Sequence, residues 1–249
     1  MSRAAVVTGV SRRNGIGFAV ARRLLAAGNG VLIHSWAAED ENPDPGGLPA
    51  VLTELEQTGG PVTHLEADFT DPVAPAAVIR AARDAFGHID ILVVNHTLDR
   101  QRTLAELTPD DLDVHLHVNV RASLLLVKEF AEQHDGRPGG RVVLFTSGQH
   151  LGPMKASVPY AASKGALHQM TLTLSDELID RGITVNTISP GPTDTGWIPE
   201  DWDPRPRMPL GRWGQPDDAA RLIAWLCSDE GEWITGQVID SEGGFRRWG

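Results

Sequence analysis

A phenol and an ammonium four residues apart, in the run Tyr160-Ala161-Ala162-Ser163-Lys164, are the first side chains of this chain whose types and spacing could do chemistry. On a helix that separation puts Tyr160 and Lys164 on one face. A free phenol, with a pKa of about 10, is a poor base at neutral pH, but a fixed ammonium nearby favours the phenolate and lowers that value. Such a tyrosine can pass a proton to or from an alcohol oxygen. Tyrosine and lysine pairs also occur on solvated surface helices. Ser147 sets this pair apart, because it follows an apolar run at 142–146 of strand character, at the carboxyl edge where ligands bind in open α/β sheets.

A second constellation lies near the amino end, in Thr8-Gly9-Val10-Ser11-Arg12-Arg13-Asn14-Gly15-Ile16-Gly17, after an apolar run and before helical spacing. Glycines there let the backbone turn sharply and approach a pyrophosphate, while a helix N-terminus offers free N–H groups to the anion. Alone, such a turn is a weak signal. The second strand ends His34-Ser35-Trp36-Ala37, without the acid that bonds the ribose hydroxyls of NAD. With Arg12 and Arg13 in the loop and Ser35 at the strand end, a 2′-phosphate would meet cations and a hydroxyl, which favours NADP(H) over NAD(H). Against this, Glu39, Asp40 and Glu41 follow closely and one could fold back to the ribose. In Ala67-Asp68-Phe69-Thr70-Asp71, Asp68 could bond the adenine edge or cap a helix starting at Pro72, for which Asp71 is the better cap.

The elements that must position these groups alternate. Apolar runs at 4–8, 31–34, 62–66, 91–95, 142–146, 184–188 and 238–240 predict strands, and helical spacing occupies 16–27, 48–57, 72–86, 110–133, 160–181 and 216–228. The pattern predicts an α/β fold, a doubly wound parallel sheet of seven strands with helices on both faces, in one domain spanning 1–249. The helix from Asp110 is apolar around much of its circumference and is expected to meet another subunit. Segment 191–214, with Trp197, Ile198, Trp202 and Met208, reads either as an apolar lid over a substrate pocket or as plain surface packing.

Lys+Arg 22 against Asp+Glu 33 leaves a net charge of −11, which argues against nucleic acid and anionic membrane surfaces as partners. The single cysteine, Cys227, excludes an internal disulfide and suits a reducing, cytoplasmic setting; no apolar stretch reaches membrane-spanning length. His115 and His117 lie two apart on a predicted helix and so face different ways, and no metal site is expected.

Taken together, the glycine turn, Asn119 in Val118-Asn119-Val120, Ser147, Tyr160 and Lys164 resemble the short-chain dehydrogenase/reductase family over the whole chain. Pro190-Gly191-Pro192-Thr193-Asp194-Thr195, Pro209-Leu210-Gly211-Arg212 and Trp233-Ile234-Thr235-Gly236-Gln237 are similar to its bacterial 3-oxoacyl reductase branch. The resemblance implies a Rossmann-type fold, a homotetramer or homodimer, and NADP(H)-dependent interconversion of a small-molecule ketone and a secondary alcohol. It implies Tyr160 as acid/base, Ser147 on the substrate oxygen, Lys164 on the nicotinamide ribose as well as the phenol, and Asn119 positioning a relay water. To the cofactor it assigns Gly9, Ser11, Arg12, Arg13, Gly15, Ile16, Gly17, Ser35, Asp68, Phe69, Asn95, Pro190, Gly191, Thr193 and Thr195. Two departures stand out. Five residues separate Gly9 from Gly15 where the family usually has three, and Asn95-His96-Thr97-Leu98 replaces the usual Asn-Asn-Ala-Gly. His96 could therefore donate to substrate and His150 line its pocket, beside Trp197 and Trp202; each histidine could equally pack or bond to backbone. An NAD-linked alcohol dehydrogenase and a non-redox isomerase or cofactor sensor are the competing functions.

Overall fold

In the computed structural model, which describes residues 3–36, 38, 44–196 and 203–248, the apolar runs form one parallel sheet. Its strands are β1 (Ala4–Val7), β2 (Gly30–Ser35), β3 (Val62–Glu66), β4 (Ile91–Val94), β5 (Gly140–Phe145), β6 (Ile183–Ser189) and β7 (Val238–Asp240), in the order β3-β2-β1-β4-β5-β6-β7. Every pairing is parallel. The strand runs are apolar without alternation because β1, β2, β4, β5 and β6 are buried on both faces.

Two apolar cores lie on the two faces. One gathers Val20, Leu24 and Leu25 of α1 (Ile16–Ala26), Val51 and Leu55 of α2 (Gly47–Glu56) and Ile223 of α7 (Pro216–Leu226) against Val7, Ile33 and Val93. The other packs Val78 of α3 (Ala74–Phe86), Leu126 and Phe130 of α5 (Ala122–Gln133) and Leu178 of α6 (Val158–Ile179) against Val6, Leu92 and Leu144. The order reverses between β1 and β4, so a crevice opens at their carboxyl ends, where a doubly wound sheet binds ligands.

The long helix expected over 110–133 is broken. It runs as α4 (Pro109–His115), a wider π turn (Leu116–Arg121) and then α5. The spacing could not reveal this, because the interruption arises from bonds that Asn119 makes outside its own helix. Helix α3 likewise starts at Ala74, not Pro72; Asp71 accepts the Val73 N–H at 3.0 Å.

Candidate active site

Ser157 is the N-cap of α6, so Tyr160 falls in its first turn and Lys164 one turn later. The Lys164 ammonium, 2% exposed, lies 5.6 Å from the Tyr160 ring centroid and donates at 3.2 Å to the carbonyl of Phe145, the last residue of β5. The Thr146 hydroxyl donates to the Lys164 carbonyl at 3.0 Å, which pins α6 to the strand end. Ser147 follows directly, its N–H donating to Gln149 Oε1 at 3.1 Å and its side chain near enough to the Tyr160 phenol to favour the phenolate. Sheet edge and helix face thus bring Ser147, Tyr160 and Lys164 together.

The electrostatics differ from the sequence expectation. Burial and the charge of Asp99 push the Tyr160 phenol up to about 12, with the Ser147 side chain opposing them. Burial pulls Lys164 down to about 8, against the pull of Asp99. The expected lowering of the phenol by the ammonium is overridden because desolvation penalises both charged forms.

Asn119, fully buried, is a clamp. Its Oδ1 accepts the Leu98 N–H at 2.7 Å, and its Nδ2 donates to the Leu98 carbonyl at 2.8 Å and to Ser163 Oγ at 2.9 Å. Ser163 lies between Tyr160 and Lys164, and its hydroxyl donates in turn to the Tyr160 carbonyl at 2.8 Å. The π turn therefore places one amide between the segment after β4 and α6. A π turn at a functional position is a recurring device.

At the dinucleotide end, Gly9 has φ +72, and a Cβ there would stand 2.7 Å from His96 Cα. A Cβ on Gly17 would stand 2.7 Å from Asn95 Nδ2 and 2.8 Å from the Gly9 carbonyl. Asn95 holds the turn by donating to the Thr8 and Gly9 carbonyls at 3.1 and 3.0 Å. Gly15 caps α1 without a side-chain bond to its N–H groups, so the helix N-terminus faces the turn uncapped by protein side chains. Such a cradle fits the pyrophosphate of a dinucleotide. Ser11, Arg12 and Arg13 form the loop between, and Ile16 opens the helix. A cavity of about 430 Å³ beside it is lined by Arg12, Arg13, Asn14, Asp44, Pro45, Glu54 and Gly196.

Several assigned residues are already engaged. Arg13 bonds Asp44 through Nε at 2.8 Å and through its N–H at 2.7 Å, and Ser35 Oγ pairs with His64 Nε2 at 2.8 Å. Ser35 is buried, so its hydroxyl is turned into the sheet and not toward a 2′-phosphate. Asp68 accepts the Thr70 N–H at 2.8 Å, making a local turn. Phe69 stacks on His34 at 4.1 Å and tilts against His96 at 4.3 Å. His96 is buried with both ring nitrogens taken, Nδ1 at Thr8 Oγ1 (2.8 Å) and Nε2 at the Val118 carbonyl (2.9 Å). The expectation that it donates to substrate gives way to a packing role: the ring ties the ends of β1 and β4 to the π turn.

His150 accepts no such interior place, yet it too is committed, with Nε2 3.0 Å from Asp240 and its ring 4.5 Å from that of His168. Trp197 and Trp202 lie outside the described residues. Around them, the parallel bridge Thr193↔Gly214 and the bonds Asp194 N–H to Gly214 O (2.8 Å) and Gly214 N–H to Pro192 O (3.0 Å) close the base of the expected lid. Pro190 and Gly191 lead into it, and Gly191 (φ +65) has no room for a Cβ beside Glu242. Thr195 precedes Gly196, which reaches the glycine loop at Asn14. Among the described residues no group of three or more His, Cys, Asp or Glu could hold a metal, and no helix is long and apolar enough to cross a membrane.

Sequence reasoning missed Asp99, whose charge acts on both Tyr160 and Lys164, and Asp44, the partner of Arg13. A carboxylate five residues past a strand end was the available signal for Asp99.

Residues 9–246 match a family model described as enoyl-(acyl carrier protein) reductase. The chain belongs to the short-chain dehydrogenase/reductase family. An uncharacterized oxidoreductase of Bacillus subtilis is 39% identical over 98% of this chain and 96% of its own. A short-chain dehydrogenase of Burkholderia cenocepacia, solved with NADP, is 37% identical, with TM-score 0.86 over 97% of each chain. A blue fluorescent protein from a metagenomic library, solved with NADPH, is 32% identical, with TM-score 0.85 over 98% of this chain and 97% of that one. In this short-chain dehydrogenase/reductase the seven-stranded sheet expected from the apolar runs is therefore that of a family of oxidoreductases.

Proposed function

We propose that this family member is an NADP(H)-dependent oxidoreductase that interconverts a ketone and a secondary alcohol, with Tyr160 as the acid/base. The observation that carries the reading is that Lys164, buried 5.6 Å from the Tyr160 ring centroid, is bonded to Phe145 and Thr146 at the end of β5, directly before Ser147. When bound, the cofactor supplies hydride to the carbonyl carbon or takes it back. Tyr160 delivers the proton to the developing alkoxide, and its elevated pKa keeps it in the proton-bearing form that reduction requires. Ser147 orients the substrate oxygen, and Lys164 holds the nicotinamide ribose and the far side of the phenol.

NADP(H) is preferred over NAD(H) on the loop cations Arg12 and Arg13, which line the cavity beside the uncapped helix, and on the cofactors named for two structural neighbours. The pairing of Arg13 with Asp44 puts more of the discrimination on the loop as a whole than on that one guanidinium. The substrate is a small carbonyl compound, the domain acts in the cytoplasm, and the assembly is a homodimer or homotetramer. A screen of ketones and alcohols with both cofactors, followed by absorbance of the reduced nicotinamide, tests the reading; turnover with NADPH and ketones supports it, and consumption confined to NADH rejects the cofactor choice.

A further inference from the structure

The segment after β7 folds back on the turn that follows Ser147. That turn passes through a 3-10 stretch at Gly148–His150, and the Leu151 and Gly152 N–H groups donate to the Gly148 carbonyl at 3.0 and 3.1 Å. Neither Gly148 nor Gly152 has a positive φ, so the backbone conformation itself does not require glycine at either place. The neighbour that does is Arg247. A Cβ on Gly148 would overlap Arg247 Nη2 and stand 2.9 Å from its Cζ and 3.0 Å from its Nε, so the three nearest atoms all belong to one guanidinium. A Cβ on Gly152 would stand 3.0 Å from Arg247 Cδ and 3.6 Å from Trp248 Cζ2. The guanidinium therefore lies against the backbone of the residue directly after Ser147.

The same guanidinium is held from behind. Glu242 accepts from Nη1 at 2.5 Å and from Nη2 at 2.7 Å, and the Phe245 ring centroid lies 5.0 Å from Cζ. Glu242 in turn accepts the hydroxyl of Ser189, the last residue of β6, at 2.8 Å, and its side chain packs on Gly191, where a Cβ would stand 2.7 Å from Glu242 Cβ. One residue before Arg247, the Arg246 N–H donates to the Arg207 carbonyl at 3.0 Å, within the 191–214 segment. A bidentate, mostly buried ion pair thus spans from the Ser147 turn after β5 to the entry of the expected lid after β6. Supports of this kind decide how precisely a group meets its substrate, and a misplacement of about 1 Å can cost about 10²-fold in rate.

We propose that Arg247 is a positioning residue: backed by Glu242, its guanidinium fixes the Gly148 turn and through it the placing of Ser147 against the substrate oxygen. This rests on the role given to Ser147 above and adds a support from outside the strand and helix that carry the site.

The test is a double-mutant cycle in the full chain, with Arg247→Met, Ser147→Ala and the two combined, and with Arg247→Lys as the conservative variant. Both kcat and KM are measured on the best ketone with NADPH, at a temperature where circular dichroism shows each variant folded. Arg247→Met should lower kcat at least about tenfold in the parent and less than about twofold on the Ser147→Ala background, where the group it places is gone. Arg247→Lys, which keeps the charge but not the planar fork, should fall between the parent and Arg247→Met. An equal loss on both backgrounds marks a general effect on the fold and overturns the proposal, as does a parent-like kcat in Arg247→Met. Should Arg247→Met not fold, Gly148→Ala takes its place: its methyl group should cost at least about fivefold in kcat beside arginine and less than about twofold beside Arg247→Lys, and equal costs overturn the proposal. If no ketone is turned over, hydrogen exchange of the folded Arg247 variant decides. Faster exchange at 147–152 with strand 91–94 unchanged upholds the support of the Ser147 turn while the carbonyl reading falls, and exchange unchanged at 147–152, or raised equally in both segments, overturns Arg247 itself.

Discussion

Replacing Asn119 by leucine should loosen the joint between the site's two halves without changing its volume much. The amide makes three close bonds, two to the backbone of Leu98 and one to Ser163 Oγ, and is fully buried. Leucine satisfies none of them. The Leu98 N–H and carbonyl are partly buried, so each unmatched group costs about 1 kcal/mol, at the lower end of the range for orphaned polar groups, and the Ser163 bond adds a comparable amount. The sum is roughly 3 kcal/mol. For a chain of this size that lowers the thermal midpoint by about 6–12 °C. The assay is thermal and urea unfolding followed by circular dichroism, alongside NADPH titration. Because the glycine cradle lies on β1 and α1, NADPH affinity should fall less than about threefold while the urea midpoint drops, an outcome that follows from the cradle making no bond to Asn119. A variant that melts within about 1 °C of the parent would refute the clamp, since each orphaned group alone is worth more than that.

Other expectations follow from the same geometry. Burial raises the Asp99 carboxyl from 3.8 to about 6, so the folded chain holds its proton more tightly than the unfolded chain does; this group's contribution to stability falls as pH rises through about 4 to 6 and stays lost above. Asp99→Asn should therefore stabilise the protein at pH 8 by about 3 kcal/mol and leave it nearly unchanged at pH 4, read from urea midpoints at the two pH values. Glu242 accepts two bonds from Arg247, at 2.5 and 2.7 Å, with side chains only 6% and 16% exposed; Arg247→Met should cost about 3 kcal/mol in urea unfolding by removing that carboxylate's counter-charge and leaving it the Ser189 hydroxyl as donor. Gly17→Ala places a Cβ 2.7 Å from Asn95 Nδ2 and should weaken NADPH binding at least about tenfold by calorimetry, a loss of about 1.4 kcal/mol, while an unchanged affinity would remove the cradle from the cofactor site.

The sheet was legible because its central strands are buried on both faces and so carry unbroken apolar runs; all seven expected strands are present in the expected order along the chain. Ser147 and the Tyr160–Lys164 pair were legible for a related reason, since a strand end and a helical repeat fix their relative positions. What escaped was everything set by contacts remote in sequence. The π turn at Leu116–Arg121 follows from Asn119 reaching Leu98, 21 residues away. Ser35 and His96 looked available because their residue types suited ligands, yet His64 and Val118, brought in by the neighbouring strand and the π turn, occupy them. Asp99 was invisible because its proximity to Tyr160 depends on the Arg102–Ser157 bridge, which no local pattern announces.

The central claim is that Tyr160 delivers the proton in an NADPH-linked carbonyl reduction. Phenylalanine keeps the ring and removes only that proton, so the deciding measurement is NADPH consumption by the parent and by Tyr160→Phe on the best ketone from the screen. The account predicts unchanged NADPH affinity and a fall in kcat of about 10²-fold or more, the range for a general acid. Turnover by Tyr160→Phe within about threefold of the parent would contradict it, because the proton would then come from elsewhere.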